Sequence, residues 1–175
     1  IMNNIAVIGA GTMGNGIAHV FAQSGFNVHL IDVSEAALEK AIVVITKNMD
    51  RQIAKGKLSE DDKSKALSNI TTFTDMKEAL SDRELVVEAA TENEELKLKI
   101  FKEMDECTNQ NTIMATNTSS ISITKIAAAT KNPTKVIGMH FMNPVPIMKL
   151  VEVINGFSTE KSVTEQTIEV TKILG

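Results

Sequence analysis

Hydrophobic residues in this chain fall into short unbroken runs, separated by longer stretches in which they recur every three or four positions. Ile5-Ala6-Val7-Ile8 is the first run, and Met13, Ile17, Ala18, Phe21 and Ala22 follow at helical spacing until Ser24-Gly25 breaks the pattern. A short continuous apolar run reads as a strand buried on both faces, and a 3.6-residue period as a helix with one buried stripe. Phe26 to Ile31 is the second predicted strand. Ser34 then caps a long helix with Ala36, Leu38, Ala41, Ile42, Ile45, Met49 and Ile53 on its apolar side, and Ser59-Glu60-Asp61-Asp62 opens another with a capping signature. Residues 34–69 are therefore expected to form a helical hairpin inserted between the second and third strands.

The same alternation continues. Ile70 to Phe73 is a short strand, and Glu84 to Ala89 a stronger one, apolar through its middle. Thr91 and Glu94 make a capping box for a helix whose stripe is Leu96, Ile100, Phe101 and Met104. Thr112 to Ala115 predicts a fifth strand, Ile121 to Ala129 a helix, and Lys135 to Phe141 a sixth strand. After Asn143-Pro144-Val145-Pro146 come an extended run at Leu150 to Ile154 and a helix from about Thr159 to Leu174. Strands alternating with helices imply an α/β fold with a doubly wound, Rossmann-type, mostly parallel sheet.

The first turn carries chemistry. Gly9, Gly11 and Gly14 stand in a Gly-x-Gly-x-x-Gly spacing between a strand and a helix, with Thr12 and Met13 inside it. Gly9 permits a sharp exit from the strand, Gly11 presents no Cβ to a pyrophosphate, and Gly14 permits close packing of helix on sheet. Phosphates then meet free N–H groups at the positive end of the helix dipole. Asp32 ends the second strand eighteen residues after Gly14, where a carboxylate accepts from both adenosine ribose hydroxyls and repels a 2′-phosphate. The expected cofactor is NAD rather than NADP.

Composition narrows the remaining possibilities. The 175 residues are 43% hydrophobic, enough for one substantial core, and the net charge of −4 offers no general field for nucleic acid or an anionic membrane. The single cysteine, Cys107, has no partner for an intramolecular disulfide and reads as structural. No charged leader with an apolar core precedes the first strand and no apolar run approaches membrane-spanning length, so the expectation is a cytoplasmic protein. No metal site is expected.

In a doubly wound sheet the ligand crevice lies beyond the carboxyl ends of the strands. Gly9, Asp32, Asn117 to Ser120 and His140 all fall at or just after predicted strand ends. A hydride acceptor needs a proton acceptor beside it, and His140 has the side chain suited to that near neutral pH. Glu152, twelve residues later across a proline-containing turn, is placed to return beside it on an adjacent strand and hold its tautomer. Ser119 and Asn117 are donors for the substrate oxygen and the nicotinamide. His19 and His29 lie inside the first helix and second strand and read as structural. Lys47, Arg51, Lys55 and Lys57 give the hairpin a basic end, either a solvated face or a receiver for a phosphorylated substrate.

The stretches 9–18, Val87 to Asn93, Asn117 to Ser120 and Gly138 to Ile154 together resemble the L-3-hydroxyacyl-CoA dehydrogenases, most closely the bacterial 3-hydroxybutyryl-CoA dehydrogenases, and the resemblance covers the whole chain. It implies interconversion of (3S)-3-hydroxyacyl-CoA and 3-oxoacyl-CoA with NAD. It also implies His140 as catalytic base, Glu152 as its partner and Ser119 on the substrate's 3-oxygen. Asp32, Glu92, Lys97, Asn117 and Asn143 would lie around the cofactor. The hairpin would clamp the acyl-CoA, with Lys55 on its phosphate or adenine, although Asn48 stands where a serine is expected. Such proteins continue into a helical domain that makes a homodimer and completes the active site, so the chain is expected to be the cofactor domain. Two alternatives stay open: a 3-hydroxyacid or 6-phosphogluconate-type dehydrogenase, which relies on a lysine base, and a non-catalytic NAD-binding or structural relative.

Overall fold

The computed structural model describes residues 2–118, 121–148 and 150–175. Strand β1 (Asn4–Ile8) leads into helix α1 (Thr12–Gln23), then β2 (Asn27–Ile31), α2 (Glu35–Ala54), α3 (Glu60–Ser68) and β3 (Ile70–Phe73). Next come α4 (Met76–Leu80), β4 (Leu85–Glu88), α5 (Glu94–Cys107), β5 (Ile113–Thr116) and α6 (Ile123–Ala128). A 3-10 turn at Pro133–Lys135 enters β6 (Val136–Phe141), followed by β7 (Val151–Asn155) and α7 (Lys161–Leu174).

The strands make one sheet in the order β3-β2-β1-β4-β5-β6-β7, with only the edge pair β6–β7 antiparallel. The order reverses between β1 and β4, which opens the ligand crevice at their carboxyl ends. Successive residues of each strand feed opposite cores. Ile5, Val7, Leu85 and Val87 pack with α1, α2 and α7, whereas Ala6, Ile8 and Val86 pack with α4, α5 and α6. This two-sided burial explains the unbroken apolar runs. Each fully buried large side chain, such as Phe21 or Phe101, contributes about 1.5–3 kcal/mol.

Both helices of the 34–69 stretch are present, capped as their sequence suggests: Ser34 Oγ accepts from Ala37 N at 3.1 Å and Ser59 Oγ from Asp62 N at 3.1 Å. Together they form the β2-to-β3 crossover and pack on α1, so the expected insertion is the crossover itself. Two local expectations differ. Helix α5 is capped by Asn93, whose Oδ1 accepts from Leu96 N, while Thr91 Oγ1 accepts from Asn93 N one turn earlier. Helix α4 has no counterpart in the hydrophobic pattern, because five residues are too few to display a helical period.

Candidate active site at the carboxyl ends of the strands

The turn after β1 has the steric form its glycines foretold. Gly9 adopts φ +102°, and a Cβ there would stand 2.7 Å from Ala90 Cα; a Cβ on Gly14 would stand 1.7 Å from the Gly9 carbonyl oxygen. Neither position tolerates a side chain. Around Gly11 nothing lies within 4 Å of a would-be Cβ, so the open side of the turn admits a ligand. Helix α1 begins there with no side-chain cap and no acidic residue in its first turn, leaving its leading N–H groups and dipole directed outward past Thr12 and Met13. A pyrophosphate fits this cradle on shape and charge.

Asp32 does more than the sequence suggested. Its Oδ2 accepts from Ala10 N and its Oδ1 from Ser34 N, both at 2.9 Å, so the carboxylate ties the end of β2 to the glycine turn. An ionised carboxylate has about four acceptor sites, which leaves capacity for ribose hydroxyls.

A cleft of about 390 Å³ runs from this turn to the Asn143–Pro146 turn, with Ala37, Lys40 and Val44 of α2 along its side. It places Asn143, exposed at the rim, on the same cleft as Gly11 and Thr12. Gly16 was missed as a determinant: a Cβ there would lie 2.9 Å from Val145 Cβ, so only glycine lets α1 seat the 143–146 turn so closely. Its signal was a fourth glycine two residues after Gly14, legible only once the 143–146 turn is known to pack there. A second groove, about 780 Å³, shares Asn48 and residues 144–146 with the first. Its walls combine Arg51, Lys55 and Lys57 with Phe141, Ile147, Met148 and Leu174, a basic side facing an apolar one. Lys55 therefore lies in a groove and not on a plain solvated face.

His140 and Glu152 line neither cleft but stand opposite each other in the β6–β7 register. Their Nδ1 and Oε1 atoms are 3.6 Å apart, just beyond hydrogen-bond reach, with the imidazole 25% and the carboxylate 55% exposed. On the neighbouring strand end, buried Asn117 accepts through Oδ1 from Phe141 N at 2.8 Å, fixing the backbone beside His140. Glu92, at the surface, accepts from Thr118 Oγ1 at 2.9 Å. Ser119 lies outside the described residues.

Lys97, expected around the cofactor, is wholly buried, its Nζ donating to Glu88 Oε1 at 2.5 Å and to Thr116 Oγ1 at 3.2 Å. The charge is taken inside because Glu88, the last residue of β4, is equally buried and needs a counter-ion.

The other candidates behave structurally. His29 Nδ1 donates to the Ala79 carbonyl at 2.8 Å. Buried His19 donates through Nε2 towards Gln23 and Gln52, and burial pushes its pKa down. Burial and the nearby Glu103 and Glu106 push the Cys107 thiol up, the reverse of what a nucleophile needs. Among the described residues no group of three or more His, Cys, Asp or Glu side chains has metal-binding geometry, and no helix is long and apolar enough to cross a membrane.

Residues 4–175 match the family model of the 3-hydroxyacyl-CoA dehydrogenase NAD binding domain. The chain is 47% identical to a 3-hydroxybutyryl-CoA dehydrogenase of Bradyrhizobium diazoefficiens, aligned over 100% of this chain and 59% of that protein. It is 46% identical to the enzyme of the same name from Clostridioides difficile, over 96% of this chain and 59% of that one. Its fold superimposes on the crystal structure of (S)-3-hydroxybutyryl-CoA dehydrogenase from Ralstonia eutropha with a TM-score of 0.98 at 46% identity, covering 100% of this chain and 62% of that one. The chain thus spans about 59% of the length of these curated relatives. With the glycine cradle, the Asp32 strand end and a match running from β1 to the last residue, the chain belongs to the 3-hydroxyacyl-CoA dehydrogenase family, as its NAD binding domain.

Proposed function

We propose that this chain carries the cofactor half and the proton-transfer residues of an NAD-dependent oxidoreductase that interconverts (3S)-3-hydroxyacyl-CoA, specifically 3-hydroxybutyryl-CoA, and the 3-oxoacyl-CoA. The observation that carries this reading is the pairing of His140 with Glu152 at the end of β6, on the same rim as the glycine turn. NAD, when bound, supplies the hydride acceptor. His140 takes the proton of the 3-hydroxyl on Nε2, while Glu152 beside Nδ1 keeps the N–H on that nitrogen and stabilises the imidazolium formed as the C3–H bond is broken. Asn117 holds the backbone at His140, and Ser119 is assigned to the substrate oxygen. Glu92 and Asn143 border the cofactor. The groove of Arg51, Lys55 and Lys57 facing apolar side chains suits a phosphorylated carrier with an acyl tail.

The names of the relatives support the acyl-CoA substrate, and the resemblance, not any contact among the described residues, supports a homodimer through a further helical domain and a cytoplasmic location. The His–Glu pair favours this reading over a lysine-based hydroxyacid dehydrogenase and over a non-catalytic relative. The test follows NADH oxidation by acetoacetyl-CoA in the enzyme containing this chain. Replacing His140 with Gln should lower turnover by about 10²- to 10⁴-fold with little change in NAD affinity, the usual contribution of a general base. A variant that keeps most of its turnover removes His140 from the mechanism.

A further inference from the structure

Asn15 and Lys40 both line the first cleft, and neither has a part in the proton transfer or the contacts assigned above. We propose that the Asn15 amide and the Lys40 ammonium form a diphosphate subsite, gripping the ligand from the side of α2 while the leading N–H groups of α1 hold it from the glycine turn. The subsite deepens the proposed function and rests on its reading of the chain as binding NAD and an acyl-CoA, each of which carries an adenosine diphosphate.

Asn15 is the fourth residue of α1 and only 9% exposed. Its backbone N–H continues the helix by donating to the Gly11 carbonyl at 2.8 Å, yet its side-chain amide makes no hydrogen bond among the described residues. An amide buried without a partner is costly, and this one borders open space, so a ligand group or solvent must complete it. Side chains on a helix lean towards its N-terminus, which carries the Asn15 amide back over the uncapped first turn. Across the cleft, Ala37, Lys40, Ala41, Val44 and Asn48 recur with the helical period and share one face of α2. The alanines leave room on that face. Lys40 between them is the one charged side chain among the described lining residues, and it has no ion pair. An unpaired cation facing the positive end of a helix dipole is unfavourable until an anion lies between them. The two donors of an amide, an ammonium and backbone N–H groups suit the several oxygens of a diphosphate better than the two of a carboxylate. The cleft shares Asn48 and residues 144–146 with the larger groove, so a diphosphate can enter it from either ligand.

The test makes Lys40→Met and Asn15→Asp separately in the enzyme containing this chain and titrates NAD and CoA by calorimetry, well below the unfolding midpoint. Lys40 is exposed, and a carboxylate near the start of α1 favours the helix through its dipole, so both changes spare the fold. A carboxylate in place of the amide repels a phosphate, and loss of the ammonium removes a charge-assisted contact. Each variant should weaken one and the same ligand by about tenfold or more and the other by less than about threefold. Losses confined to NAD assign the subsite to the cofactor, and losses confined to CoA assign it to the acyl carrier. Any other pattern in the folded variants overturns the proposal: no loss, equal losses for both ligands, a loss in one variant alone, or losses on different ligands. Asn15→Ala, which removes the amide and adds no charge, decides the matter if Asn15→Asp does not fold, with a loss of about threefold or more on the ligand that Lys40→Met weakens as the supporting result. An unsubstituted enzyme that binds neither NAD nor CoA would instead defeat the functional reading.

Discussion

At the scale of single residues, Asp32 shows how one side chain serves structure and recognition together. Its two oxygens hold Ala10 N and Ser34 N, so removing the carboxylate frees the glycine turn as well as the ribose site. Asp32→Ala should weaken NAD by about 10- to 100-fold, the equivalent of roughly 1.4–2.8 kcal/mol, and narrow its preference over NADP as the repulsion of a 2′-phosphate is lost. Calorimetry with the two cofactors reads both effects, since the chain has neither Trp nor Tyr to report by emission. Unchanged NAD affinity would remove Asp32 from the site.

At the scale of elements, the junction of α1 with α2 contains a pH-sensitive contact. Buried His19 of α1 bridges Gln23 on its own helix and Gln52 on α2 through Nε2, and its Nδ1 is buried without a hydrogen-bond partner. Desolvation by burial, the larger influence, lowers its pKa below 6.5 against the opposing glutamine bonds. The unfolded chain therefore binds this proton at a higher pH than the native state does. Stability is full above about pH 6.5 and falls as pH drops below it, by at most about 1.4 kcal/mol per pH unit for one proton. Thermal unfolding of the chain from pH 7.5 to 5.5 should show that slope, and His19→Gln should flatten it. A slope unaffected by the substitution would assign it to other groups.

At the scale of the whole molecule, cofactor binding and turnover are predicted to separate. The cradle, Asp32 and the Glu88 network all lie within a chain that spans about 59% of its curated relatives, and they need nothing outside it to form. The reacting end is different, because His140 and Glu152 stand on an open rim with the carboxylate more than half exposed. Hydride and proton transfer require reactants held in attack geometry, and a misplacement of about 1 Å can cost on the order of 10²-fold. The 175-residue chain should bind NAD yet reduce acetoacetyl-CoA at about one hundredth or less of the rate of a full-length relative. Turnover within about tenfold would show that the rim is already complete.

The sequence by itself determined the order of strands and helices apart from the short α4, the NAD-type turn and the short set of polar residues at strand ends. Those features are local: the periods of 2 and 3.6 follow from backbone geometry, and the glycines of the turn are required by sterics within a few residues. Only the tertiary structure decided that Glu152 faces His140, because that depends on the register of an antiparallel pair twelve residues apart across a turn. It alone showed Gly16 against Val145 and Lys97 in a buried pair with Glu88. A lysine on an amphipathic helix reads as exposed until its partner is known, and that partner comes from another strand. Which surfaces meet is a property of packing, so only the folded chain shows that pairing.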